Sequence, residues 1–156
     1  MLKGSVLPSF WERLALPASL AVRERSISVA EFERAVLQDV ERLLNERVSA
    51  SPDLPKRLER TILGYGLREL TGFDLSSASG AATLALAIQE AIRQFEPRLT
   101  NVVVTASDDA GSQTFRIRAD LYIEPVVQRL QFQAILKSEI SQLEVTGLDH
   151  LIPHAA

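Results

Sequence analysis

Thr114-Phe115-Arg116-Ile117-Arg118-Ala119-Asp120-Leu121-Tyr122-Ile123 is an unbroken alternation of apolar and polar side chains. In an extended chain successive side chains point to opposite faces. Phe115, Ile117, Ala119, Leu121 and Ile123 therefore share one face, and Thr114, Arg116, Arg118, Asp120 and Tyr122 the other. This is the pattern of a strand in an antiparallel sheet with one wet face. Upstream, residues 99–106 are rich in Val and Thr and read as a second strand, joined to the first through the hairpin loop at residues 107–112. Downstream, Glu124-Pro125 turns the chain. Residues 126–136 then alternate Leu130, Phe132, Ala134 and Leu136 against Arg129, Gln131 and Gln133. Three consecutive strands make a meander.

Before residue 97 the period is helical. Ser28 is a good N-cap, Glu31 completes a capping box, and Ile27 and Phe32 occupy the two positions of a hydrophobic staple. Val29, Phe32, Val36, Val40 and Leu43 recur at spacings of three and four and mark a buried stripe. Glu33, Arg34, Asp39, Glu41 and Arg42 are expected to face water. Pro55 opens a short second helix, residues 55–63, which Gly64 and Gly66 break. A third helix is expected over residues 80–95, capped by Ser79, with Leu84, Ile88, Ile92 and Phe95 inward and Pro97 just past its end. Helices followed by strands predict an α+β fold with three helices packed on one face of a small antiparallel β-meander. Residues 1–26 read as an N-terminal arm, 27–147 as a single α+β domain and 148–156 as a flexible tail.

The chain has 156 residues, enough for one domain with a sizeable core. A formal charge of −3 gives no reason to expect nucleic acid or an anionic membrane as partner. The absence of cysteine excludes disulfides, thiolate metal sites and a cysteine nucleophile. The opening MLKGSVLPSFWERLALP does not read as a signal peptide, because Glu12 and Arg13 interrupt its apolar run. No segment approaches the roughly 18 apolar residues of a membrane span, so direct membrane insertion is not expected.

Catalytic chemistry finds little support. The two histidines, His150 and His154, stand four apart in the tail with Pro153 between them. Neither a metal site nor a nucleophilic triad is expected from them. Gly64-Tyr65-Gly66 lacks the context of a phosphate-binding loop, and no cofactor is expected. Twenty acidic residues guarantee chance carboxylate pairs, and none stands out as a hydrolytic pair. Arg116 and Arg118 read either as a small basic patch or as an ordinary wet sheet face.

The most informative local feature is Phe95-Glu96-Pro97-Arg98-Leu99. A carboxylate and a guanidinium flank a rigid proline at a helix-to-strand junction. Two readings stand side by side: Glu96 and Arg98 face a partner together, or they form a local ion pair that fixes the junction. In the arm, Phe10, Trp11 and Leu14 lie at helical spacing between Pro8 and Pro17. They read either as a docked apolar anchor or as packing on the chain's own domain.

Three stretches together carry a resemblance. Residues 58–67 (LERTILGYGL), the junction at residues 95–99 (FEPRL) and the run Asn101-Val102-Val103-Val104 resemble the TssE family of type VI secretion baseplate components. That family is similar to the small wedge protein of contractile-tailed phage baseplates, once labelled lysozyme-like. Residues 9–14 (SFWERL) resemble the family's N-terminal motif. Two positions depart from the usual pattern: Gly64 stands where the family often has Asn, and Arg68-Glu69 where it often has Pro-Asp. The resemblance implies structural work in the bacterial cytoplasm, in a wedge with TssF, TssG and TssK and facing a contractile sheath of TssB and TssC. It implies that Glu96, Pro97 and Arg98 contact TssF and TssG. A wedge protein of a phage-like contractile tail is the nearest alternative, and a peptidoglycan hydrolase is the enzymatic one. The meander leaves two sheet edges, and residues 126–136, or the first strand if that is the free edge, are expected to pair with a sheath segment.

Overall fold

The computed structural model describes residues 28–48, 61, 64–67, 70–109, 112–123, 126–137 and 139–147. Ser28 opens α1 (Val29–Asn45) with an extended backbone. Its hydroxyl accepts from the Glu31 amide at 3.2 Å, and the Glu31 carboxylate accepts from the Ser28 amide at 2.9 Å. The capping box read from the sequence is therefore closed. Phe32, Val36, Val40, Leu43 and Leu44 are buried along one side. Glu33, expected in water, is buried with them and accepts from the Gln128 side-chain Nε2.

α2 (Ala78–Phe95) starts two residues earlier than expected and is capped by Ser77 rather than Ser79. The Ser77 hydroxyl accepts from the Gly80 amide at 3.1 Å and donates to the Asp74 carbonyl at 2.9 Å. Gly80 is required by space: a Cβ there would sit 1.9 Å from the Asp74 carbonyl oxygen. Leu84, Ala85, Ile88, Ala91, Ile92 and Phe95 form the buried stripe. A 3-10 turn, Leu70–Gly72, lies between the helices.

Four strands follow: β1 (Leu99–Asp109), β2 (Ser112–Ile123), β3 (Val126–Lys137) and β4 (Gln142–Gly147). Each pairs antiparallel with the next, in the order β1-β2-β3-β4. The inner face of β2 is the one its alternation predicts, with Phe115, Ile117, Ala119, Leu121 and Ile123 all buried. Leu130, Phe132, Ala134 and Leu136 of β3 continue that face, and Leu143 of β4 closes it. Each fully buried side chain of this kind contributes roughly 1.5–3 kcal/mol. In β1 the register slips by one residue between Thr100 and Val103. Asn101 takes a left-handed conformation (φ 51) and donates to the Asp120 carboxylate at 2.8 Å. Through this bulge Leu99 and Val102, three apart, both reach the core.

The expected three helices on a three-stranded meander are corrected to two α-helices and a four-stranded open sheet among the described residues. Most of the expected helix at residues 55–63 lies outside the described residues, and Thr61, the one described, is not helical. The fourth strand escaped notice because only Leu143 in it is fully buried, so its alternation is faint. Its presence also moves the edges. Residues 126–136 are interior, and the free edges belong to β1 and β4. The arm with Phe10, Trp11 and Leu14, and the tail with His150 and His154, lie outside the described residues.

Candidate functional site

The junction between α2 and β1 gathers the strongest electrostatic feature of the described residues. Phe95 ends the helix, and the Glu96 amide still donates to the Ile92 carbonyl at 2.8 Å. Pro97 cannot continue the helix, and the Leu99 amide closes a turn on the Glu96 carbonyl at 3.1 Å. Pro97 stands exposed at the apex, while Glu96 and Arg98 on either side are each only 3% exposed. The Arg98 guanidinium folds back across the turn. Its Nε donates to Glu96 Oε1 at 2.6 Å, its Nη2 to Glu96 Oε2 at 2.5 Å, and its backbone amide to Oε1 at 3.2 Å.

A second carboxylate arrives from α1. Arg98 Nη2 also donates to Asp39 Oδ2 at 2.6 Å, and Asp39 Oδ1 accepts from Arg42 Nη1 at 3.2 Å. The charges thus alternate in a chain, Glu96–Arg98–Asp39–Arg42, running from the interior to solvent. Phe32 lies beneath, with its ring centre 5.8 Å from the Arg98 Cζ. Burial by itself would lower the Arg98 pKa. The hydrogen bonds and charge of Glu96, and then those of Asp39, outweigh it and raise the pKa above its ordinary value. On the other side, the Arg98 carbonyl accepts from the Tyr122 amide at 3.1 Å, which ties the turn to β2.

The separate motif pieces meet here. Tyr65 is buried and packs edge-on against Phe95, with ring centres 5.3 Å apart. Gly66 beside it has φ +117, and a Cβ would stand 2.5 Å from the Glu46 carbonyl oxygen. This position accepts only glycine without strain. Leu67 bonds in both directions with the chain leaving α1, its amide to the Glu46 carbonyl and its carbonyl from the Val48 amide, each at 2.9 Å.

Asp39 was not anticipated, because it was assigned to the wet face of α1. A signal existed: Asp39 is seven residues after Phe32 and three after Val36, at the margin of the apolar stripe. Arg116 and Arg118 stay exposed on the outer sheet face, opposite Gln133 and Gln131. Among the described residues no cluster of three or more His, Asp or Glu is placed to hold a metal ion. No helix among them is long and apolar enough to cross a membrane.

The family described as Baseplate wedge protein gp25 matches residues 30–126, more than half of the chain and inclusive of the whole junction. No curated protein matches the chain. The match agrees with the likeness to TssE carried by residues 58–67 and 95–99. The chain belongs to the baseplate wedge protein gp25 family and is a structural protein, not an enzyme.

Proposed function

We propose that the chain is the TssE-type subunit of a type VI secretion baseplate, joining a wedge with TssF, TssG and TssK in the bacterial cytoplasm and helping to start the TssB/TssC sheath. The observation that carries this reading is the α2–β1 junction, a turn held rigid by buried charge that presents an exposed proline. A contact surface that is already ordered loses little conformational entropy on docking. Glu96, Pro97 and Arg98 act together in the contact with TssF and TssG. Pro97 touches the partner, and Glu96 and Arg98 hold the shape that presents it. Phe10, Trp11 and Leu14 of the arm add an apolar anchor to the same wedge. The sheath meets one of the two outer strands, β1 or β4.

The test is capture of TssF, TssG and TssK by the tagged chain, with Pro97→Glu as the probe. A charge at this exposed apex is expected to leave thermal unfolding nearly unchanged. Capture should weaken by about tenfold or more, the scale that marks a central contact. Normal capture by Pro97→Glu removes the junction from the interface. No capture by the parent chain defeats the secretion-wedge reading itself.

A further inference from the structure

Asn45, the last residue of α1, lies beside the outer edge of β4. Its Oδ1 accepts from the Leu143 amide at 2.8 Å, and its Nδ2 donates to the Leu143 carbonyl at 2.8 Å. The same Nδ2 donates to the Glu41 carbonyl at 2.9 Å, which orients the carboxamide. One side chain thus satisfies both outward backbone groups of one strand residue. A residue on a neighbouring antiparallel strand makes the same two bonds.

Ladder alternation extends the point along β4. Gln142, Glu144 and Thr146 turn their backbone groups to β3, opposite Lys137, Ile135 and Gln133. Leu143, Val145 and Gly147 therefore turn theirs outward, and Asn45 covers the first of the three. Proline and unpaired charge do not defend this edge: β4 contains no proline, and its one charged side chain, Glu144, is paired with Lys137 at 3.0 Å, so its protection rests on its short length and on α1 packed against it. The opposite edge is also covered. α2 packs along β1, and two of its side chains, one helical turn apart, reach the edge. Gln89 accepts from the Val104 amide at 3.1 Å, and Arg93 donates to the Val102 carbonyl at 2.8 Å. A helix thus packs against each outer strand, and at β4 the carboxamide of Asn45 is joined by Arg47, whose Nη2 donates to the Ser141 carbonyl just before the strand at 2.8 Å.

We propose that Asn45 is a strand surrogate, a removable guard that fills the place of a fifth strand at Leu143 and keeps separate copies of the chain from pairing through β4. When the guard is removed, the occupant of the edge is a second copy of this chain, β4 against β4, antiparallel about a two-fold axis near Val145. An incoming strand replaces the two Asn45 bonds one for one, so opening the edge exchanges hydrogen bonds instead of losing them. The inference does not depend on which proteins the wedge contacts.

The experiment uses the full chain and three variants: Asn45→Ala, Val145→Pro and the two combined. The Val145 amide points outward, so proline there removes no ladder bond. Sedimentation should show Asn45→Ala shifting from monomer to dimer over a concentration range in which the parent stays monomeric. The double variant should return to monomer. Hydrogen exchange at the Leu143 amide separates edge pairing from aggregation of an unfolded fraction. In Asn45→Ala it should be fast when dilute and protected again when concentrated. A monomeric Asn45→Ala overturns the proposal. So does association that Val145→Pro does not reverse, or that leaves the Leu143 amide unprotected.

Discussion

Arg98 and Arg129 are the same side chain in opposite settings. Arg98 is buried, held by two carboxylates at 2.5 and 2.6 Å, and sits over an aromatic ring. Arg129 reaches Asp120 at 3.6 Å with its own side chain 81% exposed. Removing either ion-pair member costs what the remaining group loses in solvation. Inside, the orphaned charge has nowhere to go, and outside, water takes it up. Among the described residues the densest ion-pair cluster sits at one turn, whereas pairs such as Arg129–Asp120 lie loosely at the surface.

The largest effect is expected from Arg98→Ala, which leaves the buried Glu96 without a counter-charge and Asp39 with only the exposed Arg42. Denaturant unfolding should show a loss of about 3–5 kcal/mol. A loss no larger than that of a surface pair would break the contrast. Asp39→Asn tests whether α1 belongs to the cluster. Arg98 keeps Glu96, so the loss should be smaller, about 1–3 kcal/mol. An unchanged midpoint would confine the cluster to the turn. Lys137→Ala removes the exposed pair with Glu144 and should change stability by about 0–1 kcal/mol, with the difference vanishing in high salt.

The smallest effect is expected from acid. The Ser28 amide is the first cause of a lowered Glu31 pKa, and the Ser76 hydroxyl the first cause at Asp74. A carboxyl with a lowered folded-state pKa contributes stability above its unfolded pKa, and that contribution is lost as pH falls through the folded value. Melting temperature should therefore drop below the ordinary carboxylate range. Glu31→Gln should reduce the drop slightly, whereas Arg98 stays charged throughout.

Much of this was legible from periodicity. The alternation from Phe115 to Ile123 fixed which face of β2 is buried, and the stripe from Phe32 to Leu43 fixed the inner side of α1. Both signals are strong because every second or every third-to-fourth residue repeats the same preference. What escaped was set by contacts between distant elements. Asp39 is half-shielded only because the α2–β1 turn lies against α1. Ser77 wins the cap from Ser79 because the chain passes so close at Asp74 that only Gly80 fits. The fourth strand offers one fully buried residue, Leu143, and its edge is completed by a side chain 98 positions away. The junction itself was singled out from the sequence, but the burial of Glu96 and Arg98 was not legible there. The local pair is formed, and Pro97 is left as the outward-facing member.

The order of pairing along the sheet also has a kinetic side. Each strand pairs with its successor in sequence, so every hairpin closes a short loop, and α2 leads directly into β1. Such a unit can assemble early from nearby parts. α1 is the exception: its clasp on β4 joins residues 98 apart, and the loop-closure entropy of that span has to be met before the contact returns anything. The helix that completes the charge cluster and meets the sheet edge is thus expected to lock last, with the outer strand of the C-terminal sheet uncovered until it does.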